Sequence, residues 1–157
     1  MRESNPVERI TQAPAFLLFR VGDAARDAVE RSLERHGLRG KDFRVLAYAG
    51  TGTFAQQDLC RETGLDRTTM VAVIDRLERL GLAVRERGTD RRRQVVVPTE
   101  AGRRVLGTAL TELEQVQEEF LAVLSPTARR GLHSALTRLF AAHDPSCAPE
   151  GTDPVDR

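Results

Sequence analysis

A mainly helical fold with one small β wing is what this sequence predicts, and three observations predict it. Two short helical patterns meet at Gly64-Leu65, the second of them stops at Gly81-Leu82, and an arginine-studded hairpin follows before a new helix opens at Thr99. That order is helix, turn, helix, wing. The 157 residues suit one domain, large enough to bury a core without dividing into two. The formal net charge is only +1 although 30% of the residues are charged. The distribution of charge therefore carries any argument about nucleic acid, and its sum carries none. Cys60 and Cys147 lie far apart with no thiol or histidine at ligand spacing near either, which argues against a disulfide framework and against a zinc site. The start of the chain has no leader pattern, and no apolar run approaches about 18 residues, so the expectation is a cytoplasmic protein with no membrane partner.

Residues 1–13 read as a flexible N-terminus. Leu17, Val21, Ala24, Ala28 and Leu33 recur at roughly helical spacing and predict a first helix over 14–37, closed by glycine at His36-Gly37. A lobe over 40–98 then begins with a short second helix through Phe43, Val45, Leu46 and Tyr48, ended at Gly50-Thr51-Gly52. Thr53 with Gln56 three positions on has the spacing of a capping box and predicts a third helix through Leu59 and Cys60 to Gly64. Asp66 caps a fourth, about 66–80, with Met70, Val73, Ile74, Leu77 and Leu80 on one apolar stripe. Thr68, Ala72, Asp75 and Arg79 form the opposite stripe, with Arg67 and Val71 alongside. The chain from Leu82 to Glu86 and from Gln94 to Val97 favours extended structure, so a hairpin wing spans about 83–97. Thr99 caps a long fifth helix in which Leu106, Leu110, Leu113, Gln117, Phe120 and Leu124 make a coiled-coil-like seam. Ser125-Pro126 opens a sixth, carrying Leu132, Leu136, Leu139 and Phe140. The apolar surface of 99–142 exceeds what one small winged lobe can cover, which predicts a second copy of the chain as partner. The tail over 143–157, rich in Pro, Gly and Asp, is predicted to be disordered.

A helix that enters a major groove presents small or polar side chains at its N-terminal end while its apolar face holds it to a scaffold. The helix after Asp66 meets this requirement. Thr68 and Thr69 suit a base edge or a phosphate, Val71 and Ala72 a thymine methyl, and Arg67 a guanine or the backbone, with Arg76 and Arg79 on the same helix as further cations. Asp75, repelled by phosphate, is expected to pair with Arg79 or to orient Arg76. A solvated surface helix carries the same pattern. Arg85, Arg87, Arg91, Arg92 and Arg93 stand against Glu86 and Asp90 in the hairpin, a local positive excess. Guanidinium groups suit a narrow minor groove, where negative potential concentrates. Asp90 is placed to brace Arg92. The plainer reading is a loop tip kept soluble by charge.

These residues carry a resemblance. Leu59-Cys60, Asp75-Arg76-Leu77-Glu78 with Gly81-Leu82, Asp90-Arg91-Arg92, and Thr99-Glu100-Ala101-Gly102 resemble the winged helix-turn-helix of MarR-family transcriptional regulators, and the flanking helices agree in order. The resemblance implies a homodimer built from the first and last two helices, binding double-stranded DNA at a near-palindromic site, and repression relieved by a small ligand. Pro98 departs from the family's usual aliphatic residue and predicts an early end to the second strand. In similar proteins the effector pocket lies between the dimer helices and the DNA-binding lobe. Phe16, Phe19, Arg20, His36, Phe43 and Tyr48 have suitable character for it here, pointing to a small aromatic or carboxylate effector. Core packing is the readier explanation of the three phenylalanines, and a helix-end position favoured by the dipole that of His36.

Some members of the family sense oxidants through a cysteine near the start of the first helix, where this chain has none. Cys60 is expected to pack in the core. The chain shows no Gly-rich phosphate loop, no G-x-S-x-G, no H-E-x-x-H and no Cys-His pairing at useful spacing, so neither an enzyme nor a cofactor is predicted. A winged-helix module for protein interaction, without specific DNA binding, is the competing reading; its mark would be a wing stripped of charge.

Overall fold

The structure, a computed structural model, describes residues 5–88 and 93–143. Seven helices and three short strands follow one another among them. The first helix, α1 (Pro6–Thr11), corrects the reading of 1–13 as flexible throughout: Pro6 opens it, the Asn5 side chain accepts from the Val7 N–H at 3.0 Å, and no residue in it is buried. Next come α2 (Pro14–Glu34) and α3 (Gly40–Thr51), then β1 (Phe54–Ala55), α4 (Gln56–Thr63), α5 (Arg67–Arg79), β2 (Ala83–Arg87) and β3 (Gln94–Pro98). The long α6 (Glu100–Phe120) and α7 (Pro126–His143) complete the order.

The sheet is antiparallel in the order β1-β3-β2, with Phe54 opposite Val96 and Val84 opposite Val97. The strand β1 is an addition to the sequence reading, and it moves the start of α4. Phe54 and Ala55 are paired to β3, so Thr53 does not cap; the cap position is Ala55, whose N–H donates to Asp58 at 3.0 Å. Pro98 does not end β3 early. It is the strand's last residue, opposite Ala83 and buried, a position where an extended φ is all that proline must supply.

One core joins the lobe to the long helices. Leu33 and Leu38 from the α2 corner, Val45 and Leu46 of α3, Leu59 of α4, Met70, Ile74 and Leu77 of α5, Val96 of β3 and Ala109 of α6 are almost wholly buried in it. Leu80, expected on the apolar stripe of α5, is 43% exposed, because the helix closes there and the chain turns at Gly81. Gly81 has a φ of +69°, the left-handed region, which lets the Leu82 N–H return to the Leu77 carbonyl at 2.9 Å.

The start of α6 is locked onto this turn. Thr99 donates its N–H to the Leu82 carbonyl at 3.0 Å and its hydroxyl to the Gly81 carbonyl at 2.6 Å, and the hydroxyl oxygen accepts from the Gly102 N–H at 3.0 Å. A Cβ on Gly102 would lie 1.9 Å from the Leu82 oxygen. The Thr-x-x-Gly spacing is therefore the joint between two helices.

The predicted seam divides. Leu106 and Leu113 pack against the core, Leu110 is 46% exposed, and Leu124 lies past the end of α6. The last helix, α7, has no buried residue, and its Leu136, Leu139 and Phe140 stand exposed. Among the described residues no helix is long and apolar enough to cross a membrane.

Candidate nucleic-acid interface

The site is organised by α5. Asp66 starts the helix: one carboxylate oxygen accepts from the Thr69 N–H at 2.9 Å and the other from the Thr69 hydroxyl at 2.6 Å. The hydroxyl first and the N–H second hold this carboxyl below its usual value. Buried Met70, Val73, Ile74 and Leu77 fix the inner face, leaving Arg67, Thr68, Val71, Ala72, Asp75 and Arg79 exposed on the outer one. The two threonines differ. Thr69 has spent its proton on Asp66 and can only accept, whereas the Thr68 hydroxyl is free of side-chain hydrogen bonds among the described residues.

Arg76 corrects its placement with the outward-facing cations. Its Nε donates to Asp42 at 2.9 Å and its Nη2 to the Gly37 carbonyl at 2.9 Å, so the guanidinium is tied to the α2-α3 corner. Asp42 is buried and also accepts from the Arg39 N–H at 3.0 Å. Arg76 thus fastens α5 to the scaffold. Asp75 pairs with neither Arg79 nor Arg76. Its partner is Arg85 of β2, at 2.6 Å, and Arg85 also engages Glu78 through both its backbone N–H, at 2.9 Å, and its guanidinium. One arginine from the strand bridges two carboxylates of the helix, a contact that crosses elements and leaves no periodic trace in the sequence.

At the base of the wing the hairpin closes through the Gly88 N–H on the Arg93 carbonyl at 2.8 Å. Arg87 is exposed at the end of β2. Arg93, counted with the wing cations, has its guanidinium 3.1 Å from Asp58 of α4 and half of its side chain exposed. Its first role in the structure is to brace the hairpin. The Asp58 carboxyl lies below its usual value, chiefly through the Ala55 N–H and then through Arg93 and Arg61. Asp90, Arg91 and Arg92 lie outside the described residues.

The residues chosen for an effector pocket are not brought together. Phe19 and Arg20 are exposed, Phe16 is half-buried, and Phe43 and Tyr48 pack against the lobe's core. His36 faces α6 instead, its Nε2 3.1 Å from Glu112 at ion-pair distance without hydrogen-bond alignment. A cavity of about 510 Å³ lies elsewhere, with Leu18, Val21 and Val29 of α2, Val116 and Phe120 of α6, and Leu132 of α7 among its walls. Aromatic character alone does not say which side of an element a residue faces. Cys60 is a free thiol, half-buried against the core, as expected; Cys147 lies outside the described residues. Among the described residues no group of His, Cys, Asp or Glu could hold a metal ion.

Residues 36–94 match the model of the MarR family, the stretch that runs from the α2-α3 corner to the start of β3. No curated protein matches the sequence. Solved structures do. A MarR-family transcriptional regulator from Rhodococcus sp. RHA1 is 27% identical, covering 91% of this chain and 98% of its own, with a TM-score of 0.72. A probable transcriptional regulator from Pseudomonas aeruginosa is 28% identical over 83% of this chain and 99% of its own, with a TM-score of 0.73. CouR from Rhodococcus jostii RHA1, solved bound to p-coumaroyl-CoA, is 25% identical over 92% of this chain and 98% of its own, with a TM-score of 0.71. The capped α5, the hairpin behind it and the Thr99-Gly102 joint are parts of a fold that this chain shares with solved MarR-family transcriptional regulators, and residues 36–94 carry the match to that family's model.

Proposed function

We propose that the protein is a homodimeric, sequence-specific DNA-binding repressor that grips a near-palindromic operator and lets go when a small ligand binds. The observation that carries this reading is the outer face of α5. Its inner face is core, its first turn is capped by Asp66, and Thr68, Val71 and Ala72 stand exposed with Arg67 and Arg79 beside them. In this reading Thr68 donates to a base edge or phosphate, Thr69 accepts, and Val71 and Ala72 meet thymine methyls. Arg87, with Asp90, Arg91 and Arg92, serves the minor groove.

Dimerisation is supported by α7, which buries nothing and exposes Leu136, Leu139 and Phe140 along one helix. A second copy offers those side chains an apolar surface of equal extent. Control by a small ligand with an aromatic group is supported by the likeness to CouR, which was solved bound to p-coumaroyl-CoA. A cytoplasmic location follows from the DNA partner.

Selection from a randomised duplex pool at physiological salt, followed by sequencing, tests the proposal. Enrichment of a near-palindrome with half-sites about one helical turn apart is the expected outcome. Thr68→Ala should then cost about 1 to 3 kcal/mol at one base pair if the hydroxyl reads an edge. A pool that yields no enrichment and only weak, wholly salt-driven binding would sink the operator reading and favour the protein-interaction module.

A further inference from the structure

We propose that the cleft between the first turn of α3 and the N-terminal half of α5 is a seat for one phosphate of the DNA backbone, gripped by Arg39 and Lys41. This rests on the DNA-binding reading above and extends the contact surface to an element outside both the recognition helix and the wing. The cleft holds about 300 Å³, and Arg39, Lys41 and Asp42 face Thr68, Ala72 and Arg76 across it.

Charge accounting gives the seat its sign. The walls carry three cations and one carboxylate, and that carboxylate is spent: Asp42 takes the Arg76 Nε and the Arg39 N–H. Glu30, the other acidic group nearby, accepts the Gly40 N–H with both oxygens, at 3.1 and 3.0 Å, and does not line the cleft. Arg39 and Lys41 are exposed and form no ion pair among the described residues. The Arg39 and Gly40 N–H groups at the head of α3 are already occupied.

Groove dimensions place a phosphate beside them. A helix with its side chains is about 10 to 12 Å across, and the major groove is about 12 Å wide. An inserted α5 therefore fills the groove, and whatever stands next to its outer face meets the phosphate wall. The start of α3 stands there, sharing the cleft with Thr68 and Ala72. Such a contact carries no sequence information, but it fixes where along the groove the readers on α5 come to rest. Arg76, held by Asp42 and Gly37, takes no part in it.

The test uses the full chain and the operator recovered by selection, with fluorescence anisotropy over a range of salt. Arg39→Ala and Lys41→Ala should each weaken binding about tenfold, equally on operator and mismatched duplexes, and each should lower the slope of log affinity against log salt by about 1. Arg39→Lys should restore the slope. Replacing single phosphates by neutral methylphosphonates should reveal one position in each half-site at which the wild type loses affinity and the double alanine variant loses none further. Wild-type affinity and slope in both variants would overturn the seat while operator binding stands, and a loss that depends on base sequence would overturn it as a phosphate site. Failure of the wild type to bind any duplex specifically would remove the seat together with the reading beneath it.

Discussion

Removing either member of the Asp42-Arg76 pair should destabilise the protein, and removing the arginine should cost more. The two side chains meet at 2.9 Å, but Asp42 is 2% exposed and Arg76 26%. Breaking a buried ion pair by deleting one partner costs about 3 to 5 kcal/mol, because a charge is left without water or partner. Arg76→Ala strands the deeply buried carboxylate with the Arg39 N–H alone, so a loss of about 3 kcal/mol is expected. Asp42→Ala strands a guanidinium that keeps the Gly37 carbonyl and can turn to water, which discounts the pair to about 1 kcal/mol. Losing the acceptor for the Arg39 N–H at the head of α3 adds about 1 kcal/mol. Urea unfolding of both single variants and the double one, at one fixed protein concentration because association shifts apparent stability, gives the three values. Asp42→Ala costing as much as Arg76→Ala would refute the argument, as would additivity of the two within about 0.5 kcal/mol, which would show that the groups do not interact.

Gly102→Ala should destabilise by about 1 to 3 kcal/mol or more, since backbone must move to clear the Leu82 oxygen. Gly107→Ala, five residues along the same helix with nothing near its Cβ position, should stabilise by up to about 1 kcal/mol; thermal melts of the pair that moved the same way would remove the joint. Asp66, whose folded value is depressed, contributes stability that is fully present above its ordinary value of 3.8 and is lost as pH falls through the folded value. Asp66→Asn can still accept the Thr69 N–H but does not titrate, so urea midpoints followed into acid should fall less steeply than in the wild type; identical acid slopes would show that the carboxylate contributes nothing.

Local signals were legible in the sequence, and contacts between distant residues were not. Gly64 closes α4, and Asp66 and Gly81 mark the two ends of α5, by chemistry that acts within four residues; the inner stripe of α5 follows from helical spacing. The two residues of β1 are too few to show a period, and Thr53-Gln56 has the spacing of a cap at a place where strand pairing takes the backbone instead. Arg76 was grouped with the DNA-facing cations because its partner lies 34 residues earlier. Asp75 likewise finds Arg85 across an element boundary, where helical spacing offers no guide. The candidate effector residues are dispersed for a related reason: Phe43 and Tyr48 turn into the core of the lobe, while Phe19 and Arg20 turn away from it.

The clamp between Thr99, Gly102 and the Gly81-Leu82 turn makes α5 and α6 one mechanical body. Two hydrogen bonds from Thr99 and a backbone contact that tolerates no side chain leave no slack between the end of one helix and the head of the other. The 21 residues of α6 form a rod about 30 Å long. A displacement of about 2 to 3 Å at its far end turns the rod by about 5°, and a stiff joint passes that rotation to α5 undiminished. Motion among the long helices is delivered to the outward-facing threonines as a change of angle, through a hinge that has been soldered shut.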